Sequence, residues 1–364
     1  MPVYKISEKF IRATKEGFSG FVFDCDGVLI DASSSYDLAL RSSTEAFASL
    51  LGVKIEDSSF EKMVGVLREL GTFNNDWDTL AVLVASLYRC SKDTSLLDRI
   101  STINSLEQKL KEFEIESTTS RQASNYADFD DLIGLVRKTK EGTRRDDIIA
   151  RILPLEETRA RLYRAISYPE PVGKGLLSTL FDEIVYGRSV FKETYGFDCV
   201  TQRLSVPGLI VHERKLVSDS TFCALYNASG GRLGIITGRP RVPTIYTLGS
   251  SYSNWFRDPG ICLFTGDYML DAEEVKPSPK PMLRVAAKLP SISPIVYVGD
   301  SGEDLMMTRN ANPLLDERLL FVAVANSKEK RDFFEKHDDS VDCIVSNVNE
   351  LEILVREQMP RAEP

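Results

Sequence analysis

The feature of this sequence that most constrains its fold is a series of short apolar runs, each of which stops at an acidic or hydroxyl side chain. The run at 20–23 precedes Asp24, and the run at 295–298 precedes Gly299 and Asp300. Another run, at 233–236, stops at Thr237. Short runs rich in β-branched and aromatic residues indicate strands that are buried on both faces, as in a parallel sheet.

Further apolar runs follow residue 206, with helix-like segments between them. The additional runs lie at 261–264, 320–325 and 343–345, and the clearest helical segments lie at 279–288 and 304–311. This alternation predicts an α/β fold, namely a Rossmann-like parallel sheet with helices on both faces. In such sheets, ligands bind outside the carboxyl ends of the strands.

The stretch from 31 to 206 has a different pattern, in which apolar residues recur at helical spacing. Phe60, Met63, Val64 and Leu67 illustrate the repeat, which is typical of helices that bury one face. We therefore expect a catalytic core at 1–30 and 207–364, with an inserted, mainly α-helical domain at 31–206. An insertion after the first strand emerges at the carboxyl edge of the sheet, so this domain is predicted to act as a lid.

Composition narrows the class of protein. The 364-residue chain has a formal net charge of −9, which disfavours the basic surface of a nucleic-acid-binding protein. Its six cysteines are scattered and are expected to be reduced thiols of an intracellular protein. The N-terminus lacks the apolar core of a signal peptide, and no run approaches the ~20 apolar residues of a membrane span. We expect a cytoplasmic protein with no nucleic-acid or membrane partner, and the sequence gives no indication of its oligomeric state.

Asp24 and Asp26 flank Cys25 at the end of the first run and precede Gly27. Residues i and i+2 of a strand point to the same side, so both carboxylates are expected to face one site. Gly27 permits a sharp turn and a close approach by a ligand. A solvated turn is the alternative interpretation, but the buried strand before the motif favours a functional site. Two carboxylates on one side repel each other unless a cation or a proton lies between them.

A second acidic group follows the run at 295–298. Asp300 lies at the end of the strand, and Asp304 lies on the same face if a helix begins at Ser301 or Gly302. Acids that interact favourably with the helix dipole are the alternative interpretation. That interpretation fits either aspartate alone, but it leaves the first acidic pair of the chain unexplained.

These acids suggest a metal cofactor. Mg²⁺ prefers a few carboxylates together with waters and phosphate oxygens. Asp24, the backbone carbonyl of Asp26 and Asp300 would suit it, and Glu303 is a candidate supporting acid. We therefore expect Mg²⁺ to bind at this edge of the sheet.

Two further segments carry groups that suit a phosphate. Thr237 precedes Gly238 and Pro240, which is typical of a helix N-cap with proline close to the first helical position. The phosphate interpretation is compatible with this one, because a helix start offers free N–H groups and here a hydroxyl. Lys276 precedes Pro277 and is either an exposed lysine in a stiff loop or a cation that holds phosphate.

In this order, the four segments are similar to the motifs of the haloacid dehalogenase superfamily, in the subfamily whose cap is inserted after the first strand. The sequence Asp24-Cys-Asp26-Gly-Val-Leu resembles the first motif, Thr237 the second, Lys276 the third and 299–304 the fourth. The resemblance covers approximately residues 20–35 and 206–325.

The resemblance implies a catalytic role for the first pair of aspartates. Asp24 would be the nucleophile that forms an aspartyl-phosphate. Asp26 would protonate the leaving oxygen and afterwards activate water. This division of hydrolysis into two steps is chemically reasonable for a carboxylate nucleophile.

The remaining motif residues would hold the phosphoryl group and the metal. Thr237, with Gly238 beside it, and Lys276 would bind the phosphoryl oxygens. Asp300 would complete the Mg²⁺ site, and Asp304 would support it or pair with Lys276.

The function that this resemblance favours is a Mg²⁺-dependent phosphatase for a small phosphorylated metabolite, because dehalogenases, phosphonatases and ion-pumping ATPases generally carry another residue at the position of Asp26. A phosphomutase with the same residues is the first alternative. A non-catalytic module that binds a phosphorylated ligand is the second, and the complete motif set argues against it. The inserted domain, at roughly 175 residues (31–206), is larger than the usual helical cap.

Overall fold

The computed structural model describes residues 3–70, 75–119, 125–127, 129–140, 143–267, 272–291 and 293–358. Within them the strands, in chain order, are β1 (Val3–Ile6), β2 (Gly20–Phe23), β3 (Ile30–Asp31), β4 (Val53–Lys54), β5 (Asn125–Tyr126), β6 (Arg214–Lys215), β7 (Leu233–Thr237), β8 (Cys262–Phe264), β9 (Ile295–Gly299), β10 (Leu319–Val324) and β11 (Cys343–Val345). The α-helices of the same residues are α1 (Glu8–Glu16), α2 (Ser33–Leu50), α3 (Asp57–Glu69), α4 (Asp76–Cys90), α5 (Ser95–Ser101), α6 (Leu106–Thr118), α7 (Asp130–Arg137), α8 (Arg145–Ile152), α9 (Glu156–Ile166), α10 (Leu176–Tyr195), α11 (Asp219–Ala228), α12 (Arg241–Leu248), α13 (Ser250–Trp255), α14 (Lys280–Ala286), α15 (Gly302–Ala311), α16 (Lys328–Lys336) and α17 (Glu350–Gln358).

Seven of the described strands form one sheet, in the order β1-β11-β10-β9-β2-β7-β8. Every neighbouring pair is parallel except β1 and β11, which are antiparallel. The chain therefore builds the sheet from β2 outward through β7 and β8, and then returns past β2 to add β9, β10 and β11. The direction of growth reverses between β2 and β9, and ligands bind at such a switch point, outside the carboxyl ends of the strands.

The central strands are hydrophobic throughout because the sheet is buried. Every residue of β2, β7, β9 and β10 is buried. Val22, Tyr297 and Phe321 from three strands pack in one cluster with Met282 of α14 and Leu305 of α15. Removal of this apolar surface from water is the main contribution to stability, at roughly 25 cal/mol per Å². The predicted Rossmann-like α/β fold is confirmed.

The predicted strands coincide with β2, β7, β8, β9, β10 and β11 to within one residue at each end. Strand β1 was not predicted, because Val3–Ile6 is interrupted by Lys5 and is mostly half-buried, so it shows no continuous apolar run. It lies at the edge of the sheet, where pairing with β11 and a hydrogen bond from the Lys5 ammonium to the Val341 carbonyl (2.6 Å) hold it. Edge strands carry a weaker apolar signal than central ones.

The chain divides into two compact units, one formed by residues 1–33 and 212–364 and the other by residues 34–211. The sequence-based boundaries were 30/31 and 206/207. The first unit contains the seven-stranded sheet. It also contains the antiparallel pair β3 and β6, in which Ile30 lies opposite Lys215 and Asp31 opposite Arg214.

The second unit is mainly helical, as its apolar periodicity predicted. Its helix α4 is buried along 79–88, and no helix in the described part of the chain is both long and apolar enough to cross a bilayer. Helix α10 is interrupted at Gly187, where φ is +65°, and a Cβ at that position would lie 2.7 Å from the Cα of Gly208. The predicted role of this unit as a lid stays a prediction.

Candidate active site

The strand order of the first unit brings the predicted acidic residues to one edge of the sheet. Asp24 follows β2 and Asp300 follows β9, and these strands are neighbours with Phe23 opposite Val298. The backbone N–H of Asp24 donates to the Val298 carbonyl at 2.9 Å. Thr237 is the last residue of β7, on the other side of β2.

Three carboxylates converge at this edge. Asp24, Asp300 and Asp304 each offer an oxygen that lies within 4.8 Å of the oxygens of the other two. The Asp304 side chain is fully buried, and those of Asp24 and Asp300 are only 13% exposed. So much negative charge in so little space attracts cations.

Lys276 bridges two members of this carboxylate cluster. Its ammonium lies 2.8 Å from Asp24 Oδ1 and 2.7 Å from Asp304 Oδ1. The Asp304 oxygen also accepts a hydrogen bond from the Tyr297 hydroxyl at 2.7 Å. Although burial lowers the pKa of Lys276, Asp24 and Asp304 raise it well above its ordinary value. The lysine is therefore charged, and it is oriented by both carboxylates.

Asp304 is also fixed by the start of helix α15. The helix begins at Gly302, one of the two starts considered from the sequence, with Ser301 as N-cap, and Asp304 completes a capping box with Ser301. The Ser301 hydroxyl donates to Asp304 Oδ2 at 2.7 Å, and the N–H of Asp300 donates to the same oxygen at 3.2 Å. Burial would raise the pKa of Asp304, but Lys276 and the hydroxyls of Ser301 and Tyr297 lower it below its ordinary value. Asp304 is thus the ionised partner of the lysine.

The environment of Asp24 and Asp300, the other two carboxyls of the cluster, disfavours their ionised forms. Burial raises the pKa of Asp24 well above its ordinary value, and Asp304 and Asp300 add to this effect while Lys276 opposes it. Burial also raises the pKa of Asp300, with a further contribution from Asp304. A bound cation would reverse this tendency, because its charge favours the ionised carboxylates.

Lys330 is a second cation at the cluster, from the first turn of α16. Its ammonium forms an ion pair with Asp300 Oδ2 and opposes the rise in the pKa of that carboxyl. Gly27, on the other side, has a φ of +77°, and a Cβ there would lie 2.0 Å from Asp300 Oδ2. Only glycine therefore leaves room for Asp300 beside the turn that follows β2.

Asp26 lies outside the carboxylate cluster and has its own partner. Its side chain is 43% exposed, and its Oδ1 lies 3.0 Å from Nη1 of Arg239. The other end of the guanidinium forms an ion pair with Glu213, and both of these side chains are fully buried. The aspartates that flank Cys25 are thus bound by different cations.

The segment after β7 places Thr237 and Gly238 differently from the helix-cap prediction. The Thr237 hydroxyl accepts from the N–H of Arg239 at 3.1 Å, whereas α12 begins at Arg241 with Pro240 as its N-cap. The N-cap interpretation of Thr237 was therefore wrong, because the chain makes a local turn before the helix starts. Gly238 is exposed in this turn, and a Cβ there would meet nothing within 4 Å.

The cluster provides a suitable donor set for a hard divalent cation. Such ions prefer oxygen ligands, and here three carboxylates converge, two of them with raised pKa values. Glu303 lies in the first turn of α15 and is not among the converging carboxylates of the described residues. Participation of the Asp26 backbone carbonyl stays a prediction.

Four residues of this region were not identified as site residues in the sequence. Arg239 follows Gly238 directly, so its position in the same turn was a usable signal. Tyr297 lies inside a strand run, where a hydroxyl among apolar residues is a weak indication of a buried polar contact. Glu213 and Lys330 gave no signal, because they lie far along the chain from Asp26 and Asp300 and carry no motif.

No protein-family model matches the chain, and no curated protein matches it. Among solved structures, the chain is similar to the protein described as "Putative haloacid dehalogenase-like hydrolase from Bacteroides fragilis". The sequence identity is 15% and the TM-score 0.37, with 92% of this chain and 99% of that chain covered. A function for this chain is therefore inferred from the arrangement of its own residues.

Proposed function

We propose that this protein is a hydrolase of the haloacid dehalogenase type, and more specifically a Mg²⁺-dependent phosphatase for a small phosphorylated metabolite. The observation that carries the proposal is the largely buried Asp24 carboxylate, which is oriented by Lys276 and adjoins Asp300 and Asp304 at the switch point of the sheet. Nucleophile, phosphate-binding cation and metal-binding acids are the groups that phosphoryl transfer to a carboxylate requires.

Asp24 would attack the phosphorus atom. The ammonium of Lys276 (2.8 Å) and the backbone N–H of Cys25 (2.7 Å) both donate to its Oδ1. These two donors fix the plane of the carboxylate, which reduces the entropy lost when the carboxylate attacks. The P–O bond to the leaving group breaks as the bond to Asp24 forms.

Asp26 would transfer the protons. Its carboxyl group gives a proton to the departing oxygen in the first step. In the second step its carboxylate takes a proton from the water that attacks the aspartyl-phosphate, so that phosphate leaves and Asp24 is regenerated. The 43% exposure of the Asp26 side chain is compatible with access to both the leaving group and water.

Lys276 and the turn after β7 would bind the phosphoryl oxygens. The lysine already adjoins Asp24, so its charge is placed where negative charge develops in the transition state. Thr237 and the exposed Gly238 would contribute a hydroxyl and a backbone N–H. Both lie at the carboxyl end of the strand next to β2.

Mg²⁺ would be held by Asp24, the Asp26 carbonyl and Asp300. Its chemistry would be to offset the charge of the phosphoryl oxygens, which repel an anionic nucleophile. Lys330 would then have to share or release Asp300, with which it is paired in this structure.

The cytoplasmic location expected from the sequence also stays a prediction.

The test is phosphate release from p-nitrophenyl phosphate and from a panel of phosphorylated metabolites, with and without Mg²⁺. The proposal predicts metal-dependent release that Asp24→Asn abolishes. Asp316→Asn is the matched control, because Asp316 is an exposed aspartate of the same unit. Binding of phosphorylated ligands without turnover would contradict the proposal in favour of a binding module, and isomerisation of a sugar phosphate would favour a mutase.

A further inference from the structure

Arg239 forms an ion pair at each end of its guanidinium. Nη1 lies 3.0 Å from Asp26 Oδ1, and Nη2 pairs with Oε2 of Glu213. The side chains of Arg239 and Glu213 are fully buried, whereas that of Asp26 is 43% exposed. The arrangement thus runs from a buried anion through a buried cation to a half-exposed acid.

A buried pair of this kind is a weak source of stability, because the cost of removing both charges from water offsets their attraction. Its geometric effect is stronger. The guanidinium is a rigid planar fork, so a fixed Nη2 also fixes the direction of Nη1. Glu213 is itself held by the Thr247 hydroxyl, which donates to the same Oε2.

The backbone reinforces this arrangement from three directions. The N–H of Arg239 donates to the Thr237 hydroxyl, directly after β7. Glu213 immediately precedes β6, which pairs with β3. The turn that carries Asp26 is also joined to β3, because the N–H of Gly27 donates to the Ile30 carbonyl at 2.8 Å.

We infer that Arg239 is a positioning residue for Asp26 and that Glu213 anchors it; this inference rests on the proposed phosphatase function. A half-exposed carboxyl group is not oriented by burial, and the ion pair with Arg239 supplies that orientation. With Oδ1 bound to Arg239, Oδ2 is presented for proton transfer. It gives its proton to the leaving oxygen in the first step and takes one from water in the second.

The inference makes a prediction that depends on the leaving group. An alkoxide leaves poorly without a proton, whereas p-nitrophenolate leaves readily. For Arg239→Gln we therefore expect kcat/KM to fall by roughly 10²-fold with an alkyl phosphate and by less than about tenfold with p-nitrophenyl phosphate. A general loss of folded structure would lower both values equally.

A second signature separates positioning from simple damage. The proton transfer to Asp26 from water is needed whichever ester is used, so Arg239→Gln should slow breakdown of the aspartyl-phosphate. With p-nitrophenyl phosphate, kcat and KM should then fall together while kcat/KM is largely retained. In an Asp26→Asn background, Arg239→Gln should lower kcat/KM by less than about a further threefold, because the carboxyl group that Arg239 orients is absent.

The experiment measures kcat and KM for glycerol phosphate and p-nitrophenyl phosphate with wild type, Arg239→Gln, Arg239→Lys and Glu213→Gln. Arg284→Gln is the matched control, because the Arg284 side chain is 54% exposed and pairs with Glu274 in the same unit. Glu213→Gln is expected to show the leaving-group pattern of Arg239→Gln in weaker form. Arg239→Lys should recover little, since one ammonium lacks the planar fork that holds two carboxylates.

Removal of Arg239 leaves Glu213 buried without its counter-charge, so the double variant Glu213→Gln/Arg239→Gln is measured if the single variant does not fold. Equal losses with both esters in a folded variant overturn the inference, as does failure of both variants to fold, which makes Arg239 a structural residue. Wild-type protein that releases phosphate from neither ester contradicts the proposed function itself. These outcomes separate the two failures.

Discussion

Two regions of this protein hold carboxylates close together, and the groups that face those carboxylates differ. At the sheet edge of the first unit, Asp24, Asp300 and Asp304 face one another and two lysines. On helix α10 of the second unit, Asp182 and Glu183 are also buried. The hydrogen bonds that these two carboxylates accept come from neutral side-chain and backbone donors.

The carboxylates of α10 are satisfied by groups of the surrounding helical unit. Asp182 accepts from the Trp77 indole N–H at 3.0 Å and from the Tyr195 hydroxyl. Glu183 accepts from the backbone N–H groups of Val200 and Thr201, both at 2.8 Å, and from the Thr201 hydroxyl. The hydrogen bonds accepted by Glu183 hold the segment after α10 against that helix.

The comparison teaches that burial alone does not identify a functional acid. Hydrogen bonds from fixed neutral donors satisfy a buried carboxylate within the fold. Carboxylates held close together repel one another, and the neighbouring lysines offset this repulsion only in part, so a further cation is favoured. Strongly perturbed groups with specific charged partners are typical of active sites. The following predictions test this distinction, beginning with the largest expected effect.

The nucleophile gives the largest contrast in activity. Asp24→Asn should lower turnover of p-nitrophenyl phosphate by roughly 10³-fold or more, because it removes the attacking charge while preserving shape. Glu183→Gln should stay within a few-fold of wild type once samples are matched for folded protein by circular dichroism. Similar losses in both variants would remove the distinction between the two regions.

The bridging lysine should give the next largest effect. Lys276→Met removes the cation that orients Asp24 and offsets phosphoryl charge, so turnover should fall by roughly 10²–10³-fold. The exposed Lys288 of the same unit provides the control variant Lys288→Met. Near-normal steady-state kinetics of Lys276→Met would exclude a role for the ammonium in phosphate binding.

Metal binding can be measured without turnover. Mg²⁺ at about 100 times its Kd should stabilise the folded protein by about 2.7 kcal/mol, measured as a rise in melting temperature. Asp300→Asn should require much more Mg²⁺ for the same rise, because it removes one charged ligand. Asp182→Asn should melt at a different temperature but respond to Mg²⁺ as wild type does. An unchanged titration of Asp300→Asn would count against Asp300 as a ligand.

In the second unit, removal of a buried carboxylate should lower stability and leave Mg²⁺ binding unchanged. Glu183→Ala leaves three donors without their acceptor, so we expect a loss of about 2–4 kcal/mol in the free energy of unfolding. The Mg²⁺ response of the folded protein should be unchanged. Glu193→Ala, at an exposed position of the same helix, is the control in denaturant titrations. A weakened Mg²⁺ response in Glu183→Ala would link this carboxylate to the metal site.

The smallest predicted effect is a pH dependence of stability. Burial raises the pKa of Glu183 above its ordinary value, although its hydrogen bonds oppose this. Between the pKa of the unfolded chain and that of the folded protein, the folded state binds more protons, so stability falls as pH rises through this window. Glu183→Gln should lack this decline, because the amide does not titrate in this range. Parallel stability curves for the two proteins between pH 4 and pH 8 would show that the group does not titrate abnormally.

The strands of the sheet, and the site residues at their carboxyl ends, could be predicted from the sequence. Apolar runs placed β2, β7 and β9 correctly, and parallel pairing then brings Asp24, Thr237 and Asp300 to one edge because all three lie at the carboxyl ends of their strands. The start of α15 was also predictable, since Ser301 and Asp304 have the spacing of a capping box. Periodicity and turn chemistry are local properties that a sequence displays directly.

The parts that escaped prediction depend on distant partners. Arg239 meets Asp26 across 213 positions of sequence, and Lys330 meets Asp300 across 30. Which cation pairs with which acid is decided by tertiary packing, and periodicity contains no information about it. The helix-cap interpretation of Thr237 failed for a different, local reason. Its hydroxyl accepts from the N–H of Arg239, in a turn that precedes the start of α12 at Arg241.

The central claim is that Asp24 accepts the phosphoryl group, and a trapping experiment tests it most directly. Wild-type protein with Mg²⁺ is mixed with a phosphate ester that carries a radioactive phosphorus label, quenched in acid within milliseconds, digested and mapped by mass spectrometry. The account predicts an acid-stable, base-labile acyl phosphate on Asp24 that is absent from Asp24→Asn. Label on a different side chain, or turnover with no label on the protein at any quench time, would contradict it.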